Sequence, residues 1–313
     1  MHKRITIRNE RTIVTALVLL LLSGIASIGR ADDSGDGADE VEPLRILTST
    51  NDLAAIARAV CAEQAEIEVV LRRNRDPHSV EVRPSTMRKA AGADYYLAVG
   101  LSLDLWAEDI VRGSRNRKLV MIDCSRAITP QGVPEEKVDA SMGDVHPEGN
   151  PHYWLDPENG ALVADFLAKV FGETRPAQAD AFRENARRFG ETIARRVVDW
   201  EACLRGRSFV EYHDTWLYLA NRFDMRIAGR VEPLPGISPT ARQLATLSGT
   251  IRSDEVRVVV RDPFHSESPV EFLERETGVR DIVIPSVCEE GRPEAYLATF
   301  DRMCAALESA DSR

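Results

Sequence analysis

The sequence predicts an α/β protein built as two βα lobes with mainly parallel sheets, joined by one long α-helix. Three observations carry this. Short apolar strands alternate with helical patterns along most of the chain, which is the signature of βαβ units around a parallel sheet. The alternation stops near residue 173 and restarts near 206. Between them Phe182, Ala186, Phe189, Ile193, Val197 and Trp200 recur at steps of three and four, one continuous apolar stripe. A length of 313 residues leaves room for two domains.

The elements follow in order. Residues 1–12 carry Lys3, Arg4, Arg8 and Arg11, an apolar run covers Ile13–Leu22, and small residues lead to Ala31. That pattern predicts a cleaved signal peptide over 1–31, short in its apolar part for a spanning helix, with an uncleaved N-terminal anchor as the rival reading. No cysteine follows it before Cys61, so no lipidated N-terminal cysteine is expected and the mature chain is placed in the periplasm. Residues 32–43 are acidic and poor in apolar side chains, a disordered leader. Strands are predicted at Leu44–Thr48, Ile67–Leu71, Tyr95–Val99 and Leu119–Ile122. Helices are predicted at Asp52–Glu63, with Thr50 or Asn51 as cap, and at 84–92, Leu101–Ile110 and 158–171. These form an N-terminal lobe over 44–173. A linking helix over 174–205, with its core at 176–204, would be about 40 Å long at 1.5 Å per residue. The C-terminal lobe, 206–313, has strands at Ser208–Glu211, Arg226–Ala228, Val256–Val260 and Ile282–Ile284. Its helices are predicted at Thr215–Phe223, 240–252, Val270–Thr277 and Pro293–Leu307. No repeat of 20–50 residues is visible in the sequence.

Composition narrows the function. A net charge of −10 argues against nucleic acid or an anionic membrane surface as partner. No GxxxxGK[ST], HExxH or GxSxG occurs, so the usual local signatures of an ATPase, a zinc protease or a serine hydrolase are missing. The five cysteines (Cys61, Cys124, Cys203, Cys288, Cys304) include no CxxC spacing, and their odd number leaves at least one thiol outside any internal pair.

The histidines carry the chemical signal. Outside the leader there are five, in RDPHS, GDVHPEGNPHYWLDP, VEYHDTW and RDPFHS: His78, His146, His152, His213 and His265. Each falls in a loop or at a strand end. Proline directly before His78 and His152 keeps the preceding backbone extended. Strand ends of open α/β sheets line the ligand crevice. Three imidazoles with a carboxylate make a nitrogen-rich site suited to zinc. Because the histidines come from both lobes, the site is expected in the crevice between them. Asp156 reads as a helix cap ahead of Pro157, and Trp154 and Trp216 as packing residues.

The segments DPHS (76–79), GNPHYWLDPENG (149–160) and VEYHDTWLYLANRFDM (210–225) resemble the three ligand loops of the solute-binding proteins of bacterial metal ABC transporters, the zinc and manganese uptake class (ZnuA-like and TroA-like, cluster A-I). The resemblance runs over about 44–308. It implies that His78, His152 and His213 are metal ligands and that the linking helix is rigid. It also implies a non-enzymatic receptor that hands metal to an ABC permease. Zinc-type members carry histidine at the third position, where manganese-type members tend to carry glutamate, so His213 implies zinc over Mn2+. Two departures stand out. Many members carry an acidic fourth ligand after the strand at Ile282–Ile284, where this chain reads IPSVCEEG. Asp262 is therefore the expected fourth ligand, with His265, Glu289 or a water as alternatives. The long histidine-rich loop of many zinc-type members is missing, leaving His146 as a minimal substitute or a plain loop residue. A monomer is expected. Competing readings are a zinc hydrolase, for which Glu211 or Asp214 could supply a base, and a surface adhesin holding a structural metal.

Overall fold

Among the described residues, eight strands form two four-stranded sheets, both wholly parallel and of the same strand order. The computed structural model describes residues 42–138 and 143–311. The signal-peptide segment and nearly all of the acidic leader lie outside the described residues. The first sheet holds β1 (Leu44–Thr48), β2 (Ala65–Val69), β3 (Tyr95–Ala98) and β4 (Val120–Asp123) in the order β2-β1-β3-β4. The second holds β5 (Ser208–Glu211), β6 (Arg226–Arg230), β7 (Val258–Arg261) and β8 (Arg280–Val283) in the order β6-β5-β7-β8. Parallel pairing requires crossovers, and helices supply them: α1 (Asn51–Cys61), α2 (Pro84–Gly92) and α3 (Trp106–Ser114) in the first sheet. In the second they are α6 (Leu217–Arg222), α7 (Ala241–Ser253) and α8 (Ser268–Thr277). Helices on both faces explain why β3 and β7 are buried at every position.

Between the sheets run α4 (Pro157–Thr174) and α5 (Ala179–Leu204). Asp156 caps α4 as expected, accepting the Glu158 N–H at 2.9 Å, and Pro157 occupies the first turn. Helix α5 has 26 residues, a rod of about 39 Å at 1.5 Å per residue. Phe182, Ala186, Phe189, Ile193, Trp200 and Leu204 are its buried face; Val197 packs against the core half-buried. The last helix, α9 (Pro293–Asp311), leaves the second sheet and packs on α1 and α5. Trp154 and Trp216 are both 1% exposed, so both are packing residues.

Most elements lie within a few residues of the sequence reading, and several bounds differ from it; two cases have a clear physical reason. The helix expected at Leu101–Ile110 begins only at Trp106, because Leu101 and Ser102 have φ of 48° and 61°, in the left-handed region that an α-helix cannot continue through. The second strand lies two residues earlier than Ile67–Leu71, since its register is set by pairing Leu44 with Ala65 and Thr48 with Val69. None of the described helices is long and apolar enough to cross a membrane.

Candidate metal centre

The parallel strands all deliver their C-terminal ends to the same side of their sheet, and the candidate residues sit just beyond those ends. His78 is on the loop after β2, His146 and His152 on the segment after β4, and His213 directly after β5. Asp262 and His265 follow β7. His78, His152 and His213 come together: one nitrogen from each lies within 4.8 Å of the others. Their ring centroids are 5.1–5.6 Å apart. His152 and His213 are 2% and 8% exposed.

Each of the three rings is held through Nδ1. His78 Nδ1 lies 2.9 Å from Asp76 Oδ1, and the same oxygen accepts the His78 backbone N–H at 2.9 Å. Asn150 repeats this arrangement on His152, at 3.0 Å to Nδ1 and 2.9 Å to the backbone N–H. His213 Nδ1 meets Glu232 Oε2 at 2.8 Å. All three partners accept, so Nδ1 carries the proton and Nε2 carries the lone pair that binds a metal. Nε2 of His78 is buried without a hydrogen-bond partner. A tetrahedral zinc site with bonds of about 2.05 Å has ligand–ligand edges of about 3.3 Å. The trio therefore needs a contraction of at most about 1.5 Å to close on zinc.

The supports are built into the fold. Gly149 has φ +117°, and a Cβ there would stand 2.8 Å from the Gln131 carbonyl oxygen, so the turn into Asn150 requires glycine. Asn150 also donates from Nδ2 to the Asp214 carbonyl at 2.7 Å, and its own carbonyl accepts the Tyr218 hydroxyl at 2.9 Å. The second histidine loop is thereby tied to the third. Trp154 Nε1–H donates to the Ser286 carbonyl at 2.8 Å, and Trp106 Nε1–H to the Pro77 carbonyl at 3.1 Å.

Burial works against ionising Asp76 and Glu232, yet their bonds to His78 and His213 hold both carboxyls below the ordinary range. Burial, followed by the neighbouring imidazoles, pushes His152 well below the ordinary histidine range. His152 is thus kept neutral, the form that ligates a metal.

Asp262 lies outside the mutually close trio but lines the same pocket of about 470 Å³, together with His78, His152, His213 and His265. Ser286 donates to its Oδ1 twice, from N–H at 2.7 Å and from the hydroxyl at 3.0 Å. Burial is the main cause that raises its carboxyl to about 7. His265 accepts the Asp262 N–H at Nδ1 (3.1 Å) and stacks on Tyr212 with centroids 4.3 Å apart. Glu289 does not line this pocket; it pairs with Arg73 at 2.7 Å. His146 stacks on His78 at 5.2 Å and its Nε2 is buried without a partner.

Sequence reading missed Asp76, Asn150 and Glu232. The first two had a signal: Asp-Pro-His and Asn-Pro-His place an acceptor two residues before each histidine, the spacing of an Asx-turn. Glu232 had none, standing 19 residues from His213 on the loop after the neighbouring strand.

The family described as "Zinc-uptake complex component A periplasmic" matches over residues 46–310. The high-affinity zinc uptake system protein ZnuA of Brucella abortus (strain 2308) is 31% identical over 137 residues, covering 42% of this chain and 41% of that protein. The zinc-binding lipoprotein AdcA of Streptococcus pneumoniae is 22% identical over 277 residues, 85% of this chain and 55% of that protein. The matches thus span between 41% and 55% of the length of these two relatives. Among solved structures, a crystal structure of ZnuA superposes with a TM-score of 0.74 at 20% identity, covering 85% of this chain and 100% of that one. The solute-binding protein FpvC of Pseudomonas aeruginosa in complex with Mn2+ gives 0.69 at 20% identity, with 86% and 99% covered. At such identities the structural likeness establishes the fold alone.

Proposed function

The chain belongs to the family of periplasmic zinc-uptake component A, and from that premise we propose that it is an extracytoplasmic zinc receptor that delivers the ion to an ABC permease. The observation that carries the proposal is the convergence of one nitrogen from each of three imidazoles on loops from both sheets, with each ring held through Nδ1 by an acceptor. We assign His78, His152, His213 and Asp262 as the ligands of the transported ion. Nitrogen-rich coordination favours Zn2+ over Mn2+. The proposal includes export to the periplasm with loss of residues 1–31, a monomeric receptor without enzymatic activity, and a division into lobes over 44–173 and 206–313 joined by 174–205.

Capture and release then follow from the supports. Asp76, Asn150 and Glu232 hold the rings oriented before the ion arrives, so little ordering is left to its binding. The long α5 limits hinge motion, and the contraction that closes the site falls to the loops carrying His78 and His213. Competition titration of the purified chain with Zn2+, Mn2+ and Cu2+ tests the assignment of cargo. One reversibly held zinc, preferred over manganese, is expected, together with permease-dependent zinc uptake in cells whose own receptor is deleted. Preference for manganese, or a zinc that never exchanges with chelator, would refute the receptor role.

A further inference from the structure

Of the five cysteines, Cys61, Cys124 and Cys288 are buried, whereas Cys203 on α5 and Cys304 on α9 are each partly exposed. These two helices pack against each other at several points. Phe189 meets Tyr296 with centroids 6.1 Å apart. Further along, Trp200 meets Phe300 at 4.8 Å and donates its indole N–H to Asp301 at 2.8 Å, and Arg196 pairs with the same carboxylate. Cys203 lies three residues beyond Trp200 and Cys304 three residues beyond Asp301. Three residues is about one helical turn, so each cysteine lies on the same face of its helix as the residue that makes the contact. The two thiols are near enough to interact by a hydrogen bond.

We propose that Cys203 and Cys304 are a disulfide-forming pair that fastens the C-terminal end of α5 to α9. The reasoning goes beyond metal binding and relies only on export to an oxidising compartment, where such bonds persist. The exchange balances as follows. One cysteine thiolate attacks an external disulfide, such as oxidised glutathione, expelling one thiol and forming a mixed disulfide. The second cysteine thiolate then displaces the remaining half. Two protein thiols lose two protons and two electrons, and one small disulfide becomes two thiols. Burial first, and the neighbouring thiol and Glu308 after it, hold Cys304 protonated. Oxidation of the folded, reduced chain is therefore slow, and the bond belongs to the period of folding. It closes a loop of about 100 residues, the length at which a cross-link restricts the unfolded chain strongly. It also accounts for the odd cysteine count as one pair plus three separated, buried thiols.

Thiol counting decides the matter. The full chain is unfolded, reduced, and refolded with oxidised and reduced glutathione. It is then denatured without reductant, alkylated with iodoacetamide and weighed by mass spectrometry. Three alkyl groups are expected, with a digest showing the peptides of Cys203 and Cys304 joined. Cys203→Ser and Cys304→Ser should each take four, and zinc stoichiometry should not change in either. Five alkyl groups on the wild-type chain, or a linkage joining any other two cysteines, overturns the pairing, whatever the zinc experiments give.

Discussion

Replacing Asn150 with alanine separates the two duties that one side chain performs. Asn150 is 6% exposed and makes three side-chain hydrogen bonds: to the His152 N–H, to His152 Nδ1 and to the Asp214 carbonyl. Truncation leaves two donors and one acceptor without partners. Each buried unpaired group costs about 1–3 kcal/mol, and water entering from the adjacent pocket holds the cost to the lower end, so we expect about 3 kcal/mol off the metal-free fold. The ring of His152 also loses the contact that fixes its tautomer. Loss of such a support costs about 10- to 100-fold in metal affinity. Asn150→Asp keeps the Oδ1 acceptor but gives up the Nδ2–H bond to Asp214. It should therefore recover most of the zinc affinity while remaining destabilised. The assays are urea unfolding of the metal-free chain and zinc competition against a chromogenic chelator. Unchanged affinity in the alanine variant, or equal affinity loss in both variants, would refute the idea that Nδ1 contacts prepare the site.

Three further outcomes are expected. Glu232→Gln keeps an acceptor for His213 but removes the charge that favours a metal-bound imidazole, so zinc affinity should fall about 10-fold with little change in fold stability; an unchanged dissociation constant would contradict this. Asp262→Asn keeps an oxygen for Ser286 while removing a carboxyl whose value is raised to about 7 in the fold. Because a raised carboxyl lends stability that is full below about 3.8 and is lost as pH rises through about 7, the asparagine variant should gain on the wild type as pH rises from about 4 to 7, by up to about 4 kcal/mol without metal and no further above that. The same variant should bind zinc more weakly, and a stability difference that does not grow with pH would show that Asp262 ionises freely. Trp154→Phe removes the donor to the Ser286 carbonyl and should cost about 1–2 kcal/mol in thermal or urea unfolding, with zinc affinity changed by less than threefold; a large affinity loss would mean that this bond orders the ligands as well.

The sequence disclosed what local pattern encodes. The stripe on α5 is written in one period over six residues, and five of those six are buried. His78, His152 and His213 were legible because each stands at a strand end in a proline- or aspartate-marked loop, and the structure gathers those three. What stayed hidden is set by pairing across the fold. That both sheets share one strand order is decided by which edges meet, with no echo in the residues themselves. The clasp of Ser286 on Asp262 spans 24 positions, a pairing that no local pattern encodes. The late start of α3 turns on two left-handed residues, Leu101 and Ser102, neither of which is a type that announces that conformation.

The central claim is that three converging imidazoles hold the cargo. The most direct test is zinc stoichiometry and competition affinity of the chain from Asp32 onward, beside the variant carrying His78→Ala, His152→Ala and His213→Ala together. The account predicts one zinc per wild-type chain, removed by chelator or acid and rebound at neutral pH, and none retained by the triple variant that still unfolds cooperatively. A wild-type chain without stoichiometric zinc, or a triple variant that binds zinc as tightly as the wild type, would contradict it.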